Sequence, residues 1–237
     1  MERDQMPEPK ISGLLFDKDG TLFDFKTSWG RWAQSFLTSI SKDATHADQL
    51  AALIGYQIPT NHFHPDSPVI AATAADIAEA LLPGLPGTDL QDLTDHINAT
   101  ASTAPMAPAV PLRPLLSDFK ARGLRLGVAT NDTEGPARRH LAAHDITDCF
   151  DFIAGYDSGH GAKPGPGMCL AFLTRFGLDP RRTAMVGDSL HDLEAGRAAG
   201  MRTIAVLTGI APREVLAPHA DVVLPDIGSI PGWIDQL

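Results

Sequence analysis

The sequence predicts an α/β protein: a parallel sheet covered on both faces by helices, with a smaller α-helical domain inserted into it. Two observations carry this reading. Across the C-terminal half, short apolar runs alternate with helix-length stretches, the rhythm of strand–helix–strand units. Between the first apolar run and the rest lies a long segment that shows helical periodicity only.

The elements follow in order. Residues 1–9 are charged and proline-containing and read as a loose tail. Ile11-Ser-Gly-Leu-Leu-Phe16 is a short apolar run ending at Asp17, and its length and neighbours favour a buried strand. From Lys26 to Thr103 helical periodicity recurs in Trp29–Ile40, Ala47–Ile54, Val69–Leu82 and Leu90–Ala101, with no strand expected. Turn signals separate these helices at Pro59-Thr-Asn, His64-Pro-Asp-Ser-Pro68 and Pro83-Gly-Leu-Pro-Gly87. Pro105-Met-Ala-Pro-Ala-Val-Pro111 is the expected return linker, stiff because each proline fixes φ and removes a donor. Beyond it Leu124–Ala129, Phe152–Ala154, Thr183–Val186, Thr203–Val206 and Asp221–Leu224 read as strands. Pro111–Arg122, Glu134–His144, Gly167–Phe176 and Asp192–Ala199 read as helices. The expected division is a core of residues 1–24 and 106–237 and an insert of residues 25–105.

Composition narrows the function classes. A chain of 237 residues suits one core with a smaller inserted domain. Hydrophobic residues at 43% and charged residues at 20% are ordinary for a globular protein. The formal net charge of −10, with no Lys/Arg run, argues against nucleic acid or an anionic membrane as partner. Cys149 and Cys169 lack structural-zinc spacing and read as reduced thiols. The first ten residues lack the apolar stretch of a signal peptide, and no window approaches the roughly 20 apolar residues of a spanning helix. The expected setting is cytoplasmic.

Four elements carry candidate chemistry, each at the carboxyl end of an expected strand, where α/β sheets bind ligands. In Phe16-Asp17-Lys18-Asp19-Gly20-Thr21-Leu22 two carboxylates sit two residues apart. Crowded carboxylates resist ionising together, and a divalent cation with a taste for oxygen, such as magnesium, removes that penalty. A carboxylate also accepts a phosphoryl group as an acyl phosphate. The plain alternative is a strand-end turn. In Leu126-Gly-Val-Ala-Thr130-Asn131-Asp132 the Thr130 hydroxyl and the Asn131 N–H suit phosphate oxygens, or simply cap a helix. In Gly161-Ala-Lys163-Pro164-Gly-Pro166 a stiff loop aims Lys163, whose ammonium neutralises phosphate as a point charge. In Ala184-Met-Val-Gly187-Asp188-Ser189-Leu-His191-Asp192, Asp188 suits direct metal ligation. Asp192 suits orienting Asp188, Lys163 or a metal-bound water, or meeting a helix N-terminus. Taken together, the four supply nucleophile, acid/base, hydroxyl, ammonium and metal ligands.

In these residues the chain resembles the haloacid dehalogenase superfamily of phosphatases, from about Ile11 to Val223. The match runs through Asp17-Lys-Asp19-Gly-Thr-Leu, Thr130, Lys163-Pro164 and Gly187-Asp188-Ser-Leu-His-Asp192. The subgroup it is most similar to holds the phosphoglycolate phosphatases and β-phosphoglucomutases. The resemblance implies a Rossmann-like core and a helical cap formed by the insert. It implies that Asp17 attacks phosphorus and that Asp19 protonates the leaving alcohol and then activates water. It places Mg2+ on Asp17, the Asp19 main-chain carbonyl and Asp188, and the phosphoryl group on Thr130, Asn131 N–H and Lys163. Lys18 departs from the family's usual apolar residue and is expected to point away from the site.

The expected function is hydrolysis of the phosphomonoester of a small metabolite, with a phosphomutase as the nearest alternative. A non-catalytic phosphate-binding or regulatory protein is the alternative of another class. Substrate choice is assigned to the insert. There Lys26 and Arg31 either meet a substrate carboxylate or form a solvated helix face. Trp29, Trp32 and Phe36 are expected to pack within the insert, and His191 to face solvent.

Overall fold

The computed structural model describes residues 11–237; the expected N-terminal tail lies outside them. β1 (Gly13–Phe16) is buried along its whole length, as an apolar run without alternation requires. The chain then enters α1 (Phe25–Ile40), whose N-cap Asp24 accepts the Thr27 N–H at 2.8 Å. α2 (Ala44–Leu53) follows, and then a small antiparallel pair, β2 (Tyr56–Gln57) and β3 (His62–Phe63). This pair corrects the expectation of no strand in the insert. Each strand is too short to show a period, and the turn between them rests on Asn61 in the left-handed region, with φ of 49°.

The expected Val69–Leu82 helix is two helices, α3 (Pro68–Ala71) and α4 (Ala74–Leu81). The break falls at Thr73, which caps α4 in a reciprocal capping box with Asp76. α5 (Leu90–Ala101) closes the insert. The chain returns beside its point of departure: Asp24 N–H donates to Ala107 O at 2.8 Å, and Ala109 N–H to Leu22 O at 2.9 Å.

The remainder alternates strand and helix: α6 (Leu112–Ala121), β4 (Arg125–Ala129), α7 (Glu134–Ala143), β5 (Phe152–Ala154), α8 (Gly167–Phe176), β6 (Thr183–Gly187), α9 (Leu190–Ala198), β7 (Arg202–Val206), α10 (Arg213–Leu216), β8 (Val222–Leu224) and α11 (Ile230–Asp235), of which the short α10 and α11 were not expected. The six strands of the main sheet run parallel in the order β5-β4-β1-β6-β7-β8. β1 is central, and Phe16 stands level with Val128 of β4 and Val186 of β6. The residues just past these three positions therefore emerge side by side, about 5 Å apart across the sheet.

One apolar cluster runs from the sheet into the insert without a break. It joins Leu14 and Phe16 of β1 to Trp29, Trp32 and Phe36 of α1, Leu81 of α4 and Ile97 of α5. Trp32 stacks on Phe36 at 5.1 Å and meets Trp29 edge-on at 5.2 Å, the packing expected of that periodic stripe. Among the described residues no helix is long and apolar enough to cross a membrane.

Candidate active site

Central placement of β1 brings all four sequence elements to one place. Asp17 leaves β1 with its N–H on Val186 O at 2.8 Å, and its Oδ1 accepts from Lys163 Nζ at 2.7 Å. The same ammonium donates to Asp192 Oδ1 at 2.6 Å. Asp192 Oδ2 takes the Ser189 hydroxyl at 2.7 Å and N–H at 3.1 Å, so Asp192 both caps α9 and holds Lys163.

The loop that carries Lys163 is fixed by Asn131. Its Oδ1 accepts the Lys163 N–H at 2.8 Å and its Nδ2 donates to the Lys163 carbonyl at 3.0 Å. This pairing gives the Asn131 side chain a role the sequence reading did not assign. Thr130 is buried, and its Oγ1 accepts the Asp132 N–H at 3.1 Å. The hydroxyl proton is thereby left to donate elsewhere.

Asp188 supplies the third carboxylate. Its Oδ1 accepts weakly from Thr21 Oγ1 at 3.4 Å, while its Oδ2 is buried and has no hydrogen-bond partner among the described residues. A buried carboxylate oxygen without a donor is costly. One oxygen each from Asp17, Asp188 and Asp192 lies within 4.8 Å of the others. Two glycines make room for Asp188. Gly20 has φ of 77°, and a Cβ there would stand 2.3 Å from Asp188 Oδ2; a Cβ at Gly209 would stand 1.7 Å from the same atom. Gly209 carried no signal in the sequence. An all-oxygen, carboxylate-rich cradle with one atom unpartnered fits a hard divalent cation such as magnesium.

The electrostatics agree. Burial, seconded by Asp192 and Asp19 and opposed by Lys163, pushes the Asp17 carboxyl up to about 7. Burial with the charges of Asp17 and Asp192 raises Asp188 well above the carboxylate range. Burial alone would lower Lys163, but Asp17 and Asp192 outweigh it and raise its pKa. Three carboxylates around one ammonium form a site short of positive charge.

Asp19 lies on the other side of Asp17 in a second cluster, and here the expectation for Lys18 fails. Lys18 is fully buried and points into the site's surroundings, not away from them. Its Nζ lies 2.7 and 2.6 Å from the two oxygens of Asp19, 2.9 Å from Asp132 Oδ2 and 3.3 Å from His140 Nδ1. The reason lies in the backbone. β1 ends at Phe16 and the chain bends at Lys18, so strand alternation no longer decides where its side chain goes. Burial would lower the Lys18 pKa, yet Asp132 and Asp19 together raise it, so the ammonium keeps its charge.

Lysine is only a donor, so His140 Nδ1 is the acceptor and its Nε2 carries the proton, donated to Ala101 O at 2.9 Å at the end of α5. Burial, then Lys18, pushes His140 down to about 4. Trp29 completes the cluster: its Nε1 donates to Asp19 Oδ1 at 2.8 Å. Trp29 is therefore more than packing, since it ties the insert to Asp19. Burial raises the Asp19 pKa against the pull of Lys18.

Asp17, Asp19, Thr130, Asn131 and Lys163 open on one cleft, which the partly exposed His191 also lines. Lys26 and Arg31 are exposed and do not line it; theirs is the solvated helix face.

The chain belongs to the haloacid dehalogenase-like hydrolase family, whose model matches residues 14–206. Among its relatives, a phosphoglycolate phosphatase of Rhodospirillum rubrum is 35% identical over 120 residues, which is 51% of this chain and 50% of that protein. The chain thus spans about half the length of the curated relatives it matches. In fold it is similar to a predicted phosphoglycolate phosphatase from Haemophilus somnus, with a TM-score of 0.72 at 19% identity over 96% of this chain and 99% of that one. It is also similar to β-phosphoglucomutase from Clostridium difficile, with a TM-score of 0.65 at 16% identity over 95% and 98% of the two chains.

Proposed function

We propose that the protein is a phosphomonoester hydrolase for a small phosphorylated metabolite, phosphoglycolate phosphatase-like in its catalytic residues, working through an aspartyl phosphate on Asp17. The observation that carries this reading is the convergence on one cleft of a carboxylate, a second acid and an ammonium: Asp17, Asp19 and Lys163. Residues 25–105 then act as a cap over a core whose described residues are 11–24 and 106–237.

In the first step an Asp17 oxygen attacks phosphorus, the ester P–O bond breaks, and the departing alkoxide takes the proton of Asp19. In the second, Asp19 removes a proton from water, the water oxygen attacks phosphorus, and the bond to Asp17 breaks to release inorganic phosphate. The raised pKa of Asp19 suits a group that must hold a proton in the first half and part with it in the second. Thr130 Oγ1, the Asn131 N–H and Lys163 hold the phosphoryl oxygens as charge gathers on them. Asp17, Asp188 and the Asp19 carbonyl would hold Mg2+, with Asp192 fixing Lys163 beside them. When bound, the cation neutralises charge so that two anions approach each other.

Turnover of p-nitrophenyl phosphate with and without Mg2+ tests this. The expected result is cation-dependent hydrolysis that Asp17→Asn lowers by about four orders of magnitude or more. Full activity in Asp17→Asn, with deamidation excluded by mass spectrometry, sinks the mechanism.

A further inference from the structure

The cleft over Asp17 has two walls of unlike chemistry. The core wall brings the carboxylates, Thr130, Asn131 and Lys163. The facing wall comes from the insert: Trp29 and Trp32 of α1, Val69 and Ile70 of α3, Ile77 of α4 and Ile97 of α5. The polar ends of both indoles are already engaged, Trp29 Nε1 by Asp19 and Trp32 Nε1 by Thr100 Oγ1 at 3.2 Å. Both rings are nearly buried, and the surface they leave open lines the cleft.

Positive charge is missing from this wall. Lys163 is the one Lys or Arg lining the cleft among the described residues, and Asp17 and Asp192 hold it on the core side. Lys18 is buried behind Asp19 and Asp132. Arg31 lines a separate groove beside Phe36 and His96. The other polar groups of the lining are Ser189, His191, Asn98, whose Oδ1 accepts from Thr133 Oγ1 at 3.2 Å, and the Asp132 carboxylate, which is paired with Lys18.

We infer that the substrate's leaving group is uncharged and largely apolar, an alcohol whose hydrocarbon body packs against Trp29, Trp32, Ile77 and Ile97. This rests on the hydrolase reading above and specifies its substrate class. A leaving group with a carboxylate or a second phosphate would shed water against this wall without gaining a cation. A methylene placed there gains instead, by about fourfold in affinity for each one buried.

The test compares 3-methylbutyl phosphate with 2-phosphoglycolate on the Mg2+-supplemented full chain; both esters release an aliphatic alkoxide. The kcat/KM of the alkyl ester is expected to be higher by about tenfold or more. Ile70→Arg, at a half-buried position of the same wall, should move that ratio at least about tenfold towards phosphoglycolate, with circular dichroism confirming the fold. Should the variant not fold, the wild-type ratio decides alone. Phosphoglycolate matching or beating the alkyl ester overturns this inference and leaves the hydrolase reading standing. Absence of turnover on both esters and on p-nitrophenyl phosphate overturns the hydrolase reading, and this inference with it.

Discussion

Asp17 and Asp19 leave the same strand two residues apart, yet they end in clusters of different design. Around Asp17, three carboxylates share one ammonium, and an oxygen of Asp188 is buried without a donor. Around Asp19, two carboxylates share Lys18, and Trp29 and His140 supply further contacts from α1 and α7. The first cluster leaves a buried carboxylate oxygen without a donor, a cradle that fits a cation. The second completes itself with protein groups. A pair of aspartates in one short motif is therefore not one functional unit. One member is held by core residues that also fit a cation; the other is held by a lysine at its side and by the insert.

If the first cluster is such a cradle, removing one of its charges should relieve the metal-free protein while disabling it. Asp188→Asn is expected to lower kcat by about a hundred- to a thousandfold. It should also raise the Tm of the metal-free protein, because a carboxylate whose pKa burial and neighbouring charges have raised destabilises the fold when ionised at pH 7. Added Mg2+ should raise the wild-type Tm by mass action and leave the variant unmoved. A Tm that falls in Asp188→Asn, with the Mg2+ response intact, would break the contrast on this side.

The second cluster should behave in the opposite way. Lys18→Met keeps the length of the side chain and deletes the ammonium, leaving Asp19 and Asp132 facing each other without a cation. Loss of one partner from a buried ionic cluster costs about 3–5 kcal/mol. Solvent at Asp19 and Asp132, whose side chains are 14% and 22% exposed, places this site at the lower end. Turnover should fall about tenfold through kcat with KM little changed, since Lys18 touches the acid/base and not the phosphate. Chemical denaturation and steady-state kinetics check both; an unchanged kcat would reduce Lys18 to a structural ion.

These two clusters also mark how far the sequence could be read. The site around Asp17 was legible because Asp17, Thr130 and Asp188 each follow a buried strand, β1, β4 and β6, and parallel strands in register bring their ends together; Lys163 stood out by its stiff loop and Asp192 by its place in the first turn of α9. Strands such as Phe152–Ala154 and helices such as Gly167–Phe176 and Leu90–Ala101 were read to the residue, being bounded by turn residues and strongly periodic. The Asp19 cluster was hidden because its members follow no shared period. Lys18 sits where the strand has already ended, His140 lies within α7, and Trp29 belongs to an apolar stripe that conceals its polar end. The split between α3 and α4 did leave a trace, Thr73-Ala-Ala-Asp76, a capping box that helical periodicity across it overrode.

His140 offers the smallest effect and the sharpest view of how the second cluster meets the insert. Its ring is neutral, accepting a hydrogen bond from Lys18 at Nδ1 and donating one to Ala101 O from Nε2. With its pKa pushed down to about 4 in the folded state and near 6.5 in the unfolded chain, the unfolded state binds more protons between those values. Stability from this group is therefore complete above about pH 6.5 and is lost as pH falls towards 4. His140→Gln gives up part of the hydrogen bonding, at a cost of about 1–2 kcal/mol at pH 7.5. It cannot take up the extra proton. The gap in stability between wild type and variant should accordingly narrow as denaturation is repeated from pH 7 to pH 4.5. A gap constant with pH would mean that His140 binds protons alike in the folded and unfolded states, which its burial beside Lys18 forbids.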